Sequence, residues 1–248
     1  MFKAYNNHFQ PNLPLSFGLK LIKFSYFFIA LFLLSCGETK NEKAIETEEL
    51  PEHTETSSAT NTATNTILFF GDSITAGYGL DDSNDAYPGV VQQKIDSLDM
   101  DYTVINSGVS GETSAGGSSR IDWVIKQKVD IFVLELGAND GLRGVALSET
   151  RANLQEIIDV VKEKSPETKI ILAGMQLPPN MGQEYTNEFK QLYVDLAEKN
   201  NIALIPFILK DVGGVAALNQ ADGIHPTIEG HSIVANTVWE TLKPLLKS

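Results

Sequence analysis

Cysteine is almost missing from this chain. Cys36 is the single one, so an intramolecular disulfide is excluded, and so is any zinc site built on several cysteines. Positive charge is also scarce: 19 basic side chains stand against 32 acidic ones, a net charge of −13. That balance argues against nucleic acid or an anionic bilayer as the main partner. Histidine occurs only at His8, His53, His225 and His231, with no His-Glu-x-x-His pair, which disfavours a hydrolytic zinc centre. No serine sits in a Gly-x-Ser-x-Gly elbow, as an α/β-hydrolase would require. The glycines Gly108, Gly111, Gly116 and Gly117 invite a nucleotide-binding reading. They lack both the Gly-x-Gly-x-x-Gly spacing and the lysine of a P-loop.

What is present describes a globular domain behind a leader. An apolar fraction of 42% and a charged fraction of 21% suit a chain with a sizeable core. Near the N-terminus, Lys20 and Lys23 precede an uncharged run, Phe24 to Ser35, rich in Phe, Leu, Ile and Ala. The run has the length of a signal-peptide apolar segment and falls short of the roughly 20 residues of a spanning helix. It ends in Leu33-Leu34-Ser35-Cys36, which resembles the lipobox of bacterial lipoproteins. Residues 1–35 are therefore expected to be a lipoprotein signal peptide, and Cys36 the lipidated first residue of an exported, membrane-anchored protein of the cell envelope. The alternative is a buried apolar cysteine in an uncleaved anchor. Whether the periplasm or the outer membrane receives the protein is not readable.

Residues 36–66 are rich in Glu, Thr, Asn, Ser and Ala and hold almost nothing large and apolar. Such a segment buries too little surface to offset the ordering of its backbone, and it reads as a disordered acidic tether. From Ile67 the pattern changes. Short β-branched runs at Ile67–Phe70, Tyr102–Ile105, Ile131–Leu136, Lys169–Ala173 and Ala203–Pro206 read as strands. Helix-like stretches alternate with them near Tyr87–Leu98, Ser119–Gln127, Ser148–Lys164 and Tyr185–Asn200, with a last one from Pro226 to about Leu246. This alternation predicts an α/β fold over residues 67–248, a parallel sheet covered by helices on both faces. In such sheets ligands bind beyond the carboxyl ends of the strands.

The polar, glycine-bearing segments lie at those ends. The first strand runs into Gly71-Asp72-Ser73-Ile74-Thr75-Ala76-Gly77. Ser73 is there either a nucleophile or an ordinary turn or cap residue. A serine nucleophile needs a base, usually histidine. His8 lies in the leader, His53 in the tether, and His231 inside the last helical stretch, where packing is its expected role. His225 sits in the loop Ala221-Asp222-Gly223-Ile224-His225-Pro226, three residues after a carboxylate that reaches its imidazole from a tight turn. The competing reading is a capping carboxylate beside a surface histidine. Pro226 suits the first turn of the helix that follows. Gly108 and Gly111 follow the second strand, and Asn139 and Asp140 follow the third. Each segment alone is a glycine-rich turn; together they supply donors for an oxyanion.

Gly-Asp-Ser after the first strand, Gly111 after the second, Gly-x-Asn-Asp after the third and Asp-x-x-His near the C-terminus resemble the four blocks of the SGNH (GDSL) hydrolases, in the family's order. Residues 71–80, Asp222 to Pro226 and Leu177 to Gly182 are closer still to its thioesterase, lysophospholipase and arylesterase branch. The resemblance implies a five-stranded three-layer fold of flavodoxin-like type and a serine esterase. It implies Ser73 as nucleophile, His225 as base and Asp222 as its orienting partner. It also implies an oxyanion hole of the Ser73 and Gly111 N–H groups and the Asn139 amide, with no metal and no organic cofactor. Candidate substrates are aryl and alkyl esters, lysophospholipids and acyl thioesters. The other readings are a carbohydrate O-acetyl esterase and a surface-anchored binding module that keeps the fold without the activity. The loop 207–221 is where specificity is expected to differ.

Overall fold

The computed structural model describes residues 65–247. The expected signal peptide, the Cys36 lipidation site and the tether up to residue 64 lie outside the described residues. Five parallel strands, β1 (Asn65–Gly71), β2 (Tyr102–Gly108), β3 (Ile131–Glu135), β4 (Lys169–Ala173) and β5 (Ala203–Ile205), form one sheet in the order β2-β1-β3-β4-β5. The chain leaves β1 on one side for β2 and returns to the other side for β3. That reversal opens a crevice where the carboxyl ends of β1 and β3 diverge, the usual ligand position in open α/β sheets.

Among the described residues, seven α-helices connect and cover the strands: α1 (Ser73–Ala76), α2 (Tyr87–Asp96), α3 (Ser114–Val124), α4 (Ala138–Leu142), α5 (Leu147–Lys164), α6 (Gln183–Asn200) and α7 (Ile228–Leu242). Helix α2 packs on α7, while α3 packs on α5 and α5 on α6, giving a helical layer on each face. The strands between them carry apolar side chains on both faces. Ile67, Phe69 and Phe70 of β1 and Phe132, Val133 and Leu134 of β3 are fully buried. Fully burying one such side chain stabilises the fold by roughly 1.5–3 kcal/mol. The α/β sandwich expected from the alternating pattern is the fold observed.

Several boundaries differ from the pattern reading, and three of them have a clear physical cause. Asn65 and Thr66, assigned to the tether, begin β1 in register with Tyr102 and Thr103, and Asp130 Oδ2 accepts from Thr66 N at 2.9 Å. Backbone pairing makes this strand end; side-chain character does not reveal it. Helix α3 starts at Ser114 instead of Ser119, capped by Thr113 Oγ1, which accepts from Gly116 N. Gly116 and Gly117 hid that first turn, yet Gly117 is needed there: a Cβ on it would fall 2.4 Å from Leu136 Cδ1 and 3.1 Å from the Phe70 ring. Helix α7 begins at Ile228 behind its cap Thr227, so Pro226 stands before the helix in a short bridge with Asn219.

Candidate active site

Ser73 opens α1 directly after β1, where Asp72 caps the turn by accepting from Ile74 N at 3.0 Å. The loop before α7 brings its histidine to this serine. His225 Nε2 lies 2.9 Å from Ser73 Oγ, and His225 Nδ1 lies 2.6 Å from Asp222 Oδ2. A tight turn holds the carboxylate in place. Asp222 Oδ1 accepts the backbone N–H groups of Ile224 and His225 at 2.9 and 3.0 Å, and Gly223 supplies the positive φ of 71° that closes the turn. These donors, the imidazole first, hold the Asp222 carboxyl down at about 2, so it is ionised at any ordinary pH. Gln220 ties this loop to the serine loop, donating from Nε2 to Tyr78 O at 2.7 Å and to Pro226 O at 3.0 Å. The Tyr78 ring packs 4.6 Å from the His225 ring.

The other expected site residues converge on the same spot. Among the described residues, neither the Ser73 nor the Gly111 backbone N–H donates to a protein acceptor. Gly111 adopts φ 80°, a conformation costly for any residue with a Cβ. Arg120 fixes the segment around it. Its guanidinium grips Glu112 through two 2.6 Å bonds, donates to Ser107 O at 2.8 Å and lies 3.9 Å above the Phe70 ring. Asn139, at the start of α4, donates from Nδ2 to Asp72 Oδ2 at 3.1 Å and to Glu112 O at 3.0 Å. Both amide hydrogens are thus engaged, and an oxyanion would have to share or take the one on Glu112 O. Asp140 accepts from Ser114 N at 2.8 Å and Ser114 Oγ at 2.5 Å, which locks α4 to the start of α3.

Residues 69–233 match the model of the GDSL-like lipase/acylhydrolase family. The chain belongs to this family. It is 42% identical over 185 residues to esterase TesA of Pseudomonas aeruginosa, covering 74% of this chain and 90% of that protein. It is 35% identical over 185 residues to thioesterase 1/protease 1/lysophospholipase L1 of Escherichia coli, covering 74% of this chain and 86% of that protein. Among solved structures, the psychrotrophic esterase EstA from Pseudoalteromonas sp., inhibited by monoethylphosphonate, superposes with a TM-score of 0.68 at 31% identity, over 73% of this chain and 97% of that one. The chain is a carboxylic ester hydrolase, as its membership of the family and its named relatives establish.

In this GDSL-like hydrolase an apolar cleft of about 380 Å³ opens beside the serine. Ile74, Ala138 and Ile224 line it, each next in sequence to Ser73, Asn139 or His225, and Met175, Leu177 and Leu209 extend it. The loop 207–221 forms one wall through Phe207, Leu209 and Asn219. His231 is packed, as its helical position suggested: it is fully buried and its Nδ1 accepts from Tyr87 N at 3.2 Å. Burial pushes its pKa down to about 4, so it is uncharged at neutral pH.

Several residues of the site escaped the sequence reading. Arg120 and Gln220 carry no motif, and nothing in one sequence marks them; Tyr78 lies within the motif stretch 71–80 but was given no role of its own. Glu135 did carry a signal, a lone carboxylate closing the apolar run Ile131–Leu136. It is fully buried beneath Asp72, whose backbone N–H it accepts at Oε2, 3.2 Å away.

Proposed function

We propose that Ser73, His225 and Asp222 are the catalytic triad of this hydrolase and that it transfers apolar acyl groups from esters to water. The observation that carries this reading is the unbroken line Ser73 Oγ to His225 Nε2 to Asp222, at 2.9 and 2.6 Å. In the first half-reaction Ser73 Oγ attacks the carbonyl carbon and its proton passes to His225 Nε2. The carbonyl π electrons move onto oxygen, where the Ser73 and Gly111 N–H groups and the Asn139 amide receive them. Asp222 holds the Nδ1–H and balances the imidazolium charge. When the intermediate collapses, His225 returns the proton to the leaving alkoxide or thiolate, leaving an acyl-serine. In the second half-reaction water gives its proton to His225 and attacks the acyl carbon. Collapse then restores the Ser73 hydroxyl and frees the acid.

The cleft supports an apolar acyl chain, since its lining is dominated by aliphatic and proline side chains. An acetylated sugar would ask for polar partners along that wall. Exposed Tyr78, Val109, Leu142 and Ile224, all on loops or helix ends that follow strands, extend the apolar character around the mouth. Lysophospholipids and medium-chain esters fit this shape. We further propose that the protein is exported and held in the cell envelope through lipidated Cys36, a reading that rests on the basic flank, the short apolar run and Ser35 before the cysteine. Such a location places lipids within reach and cytosolic acyl-CoA out of it.

The test is a series of p-nitrophenyl esters from acetyl to dodecanoyl, beside lysophosphatidylcholine, with wild type and Ser73→Ala. Activity rising beyond acetyl and lost in the folded variant is expected. A protein inert on every ester, or most active on acetyl alone, would contradict the reading. For the anchor, uptake of a palmitate analogue by wild type and not by Cys36→Ser is expected.

A further inference from the structure

Two carboxyl groups are sealed together beneath the Ser73 turn. Asp72 and Glu135 are each 0% exposed, and among the described residues neither forms an ion pair with a lysine or arginine. Their contacts are unequal. Asp72 is a full acceptor, taking Ile74 N–H at Oδ1 (3.0 Å) and the Asn139 amide at Oδ2 (3.1 Å). Glu135 accepts only at Oε2, from Asp72 N–H (3.2 Å) and the Thr75 hydroxyl (2.8 Å). Its Oε1 is buried and receives no donor. The Asp72 N–H held by Glu135 Oε2 nevertheless sets the two carboxyls side by side in one water-free pocket.

Two anions cannot share a dry site without a counter-charge, so one carboxyl must be neutral. The contact pattern says which. An oxygen that accepts nothing is where an acid proton belongs, whereas an oxygen pair fed by two N–H donors suits a carboxylate. We propose that Glu135 is a positioning residue, a neutral carboxylic acid that donates to Asp72 and so keeps Asp72 as the acceptor that fixes the Asn139 amide for the oxyanion. The assignment rests on the role given to Asn139 above.

Other observations agree. Burial, and then the Asp72 charge, push the Glu135 carboxyl well above the usual range. Asp72 is raised only to about 6, because burial is offset there by bonds from Ile74, Glu135 and Asn139 and by the His225 field. The other titratable groups facing the pair are phenols: Tyr87 of α2, whose OH bonds Thr75 Oγ1 at 2.8 Å, and Tyr193 of α6, both fully buried. Room for the acid is built into the motif, since a Cβ on Gly71 would lie 2.6 Å from Glu135 Oε2. A hydrocarbon side chain would cost the fold less than a buried carboxyl pair.

The full-length protein tests this with Glu135→Gln, Glu135→Leu and Asp72→Asn, read as kcat and KM on p-nitrophenyl butyrate and as urea stability from pH 5 to 9. Glutamine keeps a donor and an acceptor in place, so E135Q should hold kcat within about threefold of wild type. E135L and D72N remove the link and should lower kcat roughly 10- to 100-fold with KM within about threefold; D72N reads the same link where E135L does not fold. An acid whose pKa is raised by folding favours the native state at low pH, and that advantage fades as pH rises above its unfolded value. Wild type should therefore lose stability from pH 5 to 9 more steeply than E135Q. The proposal is overturned if E135Q loses as much kcat as D72N, if folded E135L or D72N retains wild-type kcat, or if the stability profiles of wild type and E135Q run parallel. The Ser73 reading is judged separately, by whether wild type hydrolyses the ester and S73A does not.

Discussion

Ser73 is served by carboxylates from two sides, and the two sides follow opposite physical rules. Asp222 stands on a surface turn, partly open to water, and in the proposed triad its role is to be charged: a histidine and two backbone N–H groups hold its carboxyl down at about 2. Asp72 and Glu135 lie in the core, where charge is hard to keep, and burial drives both upward. The exposed carboxylate keeps its charge by solvation and donors, while the buried pair can persist only by holding a proton. On this account one side aligns and balances the base, and the other aligns the acceptor of negative charge. Charge stabilisation at an active site thus depends on where water is excluded as much as on which residue is present.

The contrast can be broken side by side. Removing the proposed nucleophile or base, as Ser73→Ala or His225→Ala, should lower kcat by roughly 10⁴- to 10⁶-fold with circular dichroism unchanged. On the exposed side, Asp222→Asn should lower kcat by roughly 10³- to 10⁴-fold at every pH from 6 to 9, because the imidazole loses the carboxylate that sets its tautomer. Facing the buried side, Asn139→Ala should cost roughly 10²- to 10³-fold in kcat, the scale of one lost oxyanion donor. An Asn139→Ala loss that exceeded the Asp222→Asn loss would reverse the ranking of the two sides.

Smaller effects sharpen the comparison. His231 is buried and neutral with a pKa near 4, against an ordinary 6.5 unfolded. The unfolded chain therefore binds the extra proton between those values. The stability His231 contributes at neutral pH is lost as pH falls from about 6.5 to 4, by about 3 kcal/mol in all. The carboxyl pair slopes the other way. Urea titrations of wild type and His231→Gln should show the wild type's advantage shrinking over that window. At the far end, Trp123 is 73% exposed, and Trp123→Ser should move stability by no more than about 0.5 kcal/mol and leave kcat unchanged.

The exposed side was legible in the sequence because it is local. Asp222 and His225 lie within one turn, and Ser73 directly follows a strand that shows itself by four apolar residues, Ile67 to Phe70. Strand–helix alternation gave the sheet, since period and β-branching are short-range properties. The buried side depends on long-range meetings. Asp72 reaches Asn139 and Glu135 across more than sixty positions of chain, and only the strand order β1 beside β3 brings them together. Asp72 caps the Ser73 turn with one oxygen, and the partner of its second oxygen could not be foreseen. Arg120 escaped notice for a different reason: its partners, Ser107 at the end of β2 and Glu112 in the loop after it, are near in sequence, but no motif marks the bend that turns them toward α3. The start of α3 was missed because Gly116 and Gly117 weaken helical propensity where the fold needs close packing against Leu136.

The most direct test of the central claim is covalent capture of the nucleophile. The protein treated with a fluorophosphonate should gain one adduct, mapped by peptide mass spectrometry to Ser73. Labelling should be absent in S73A and strongly slowed in H225A. A label on any other residue, or equal labelling in S73A, would contradict the assignment of the chemistry to Ser73.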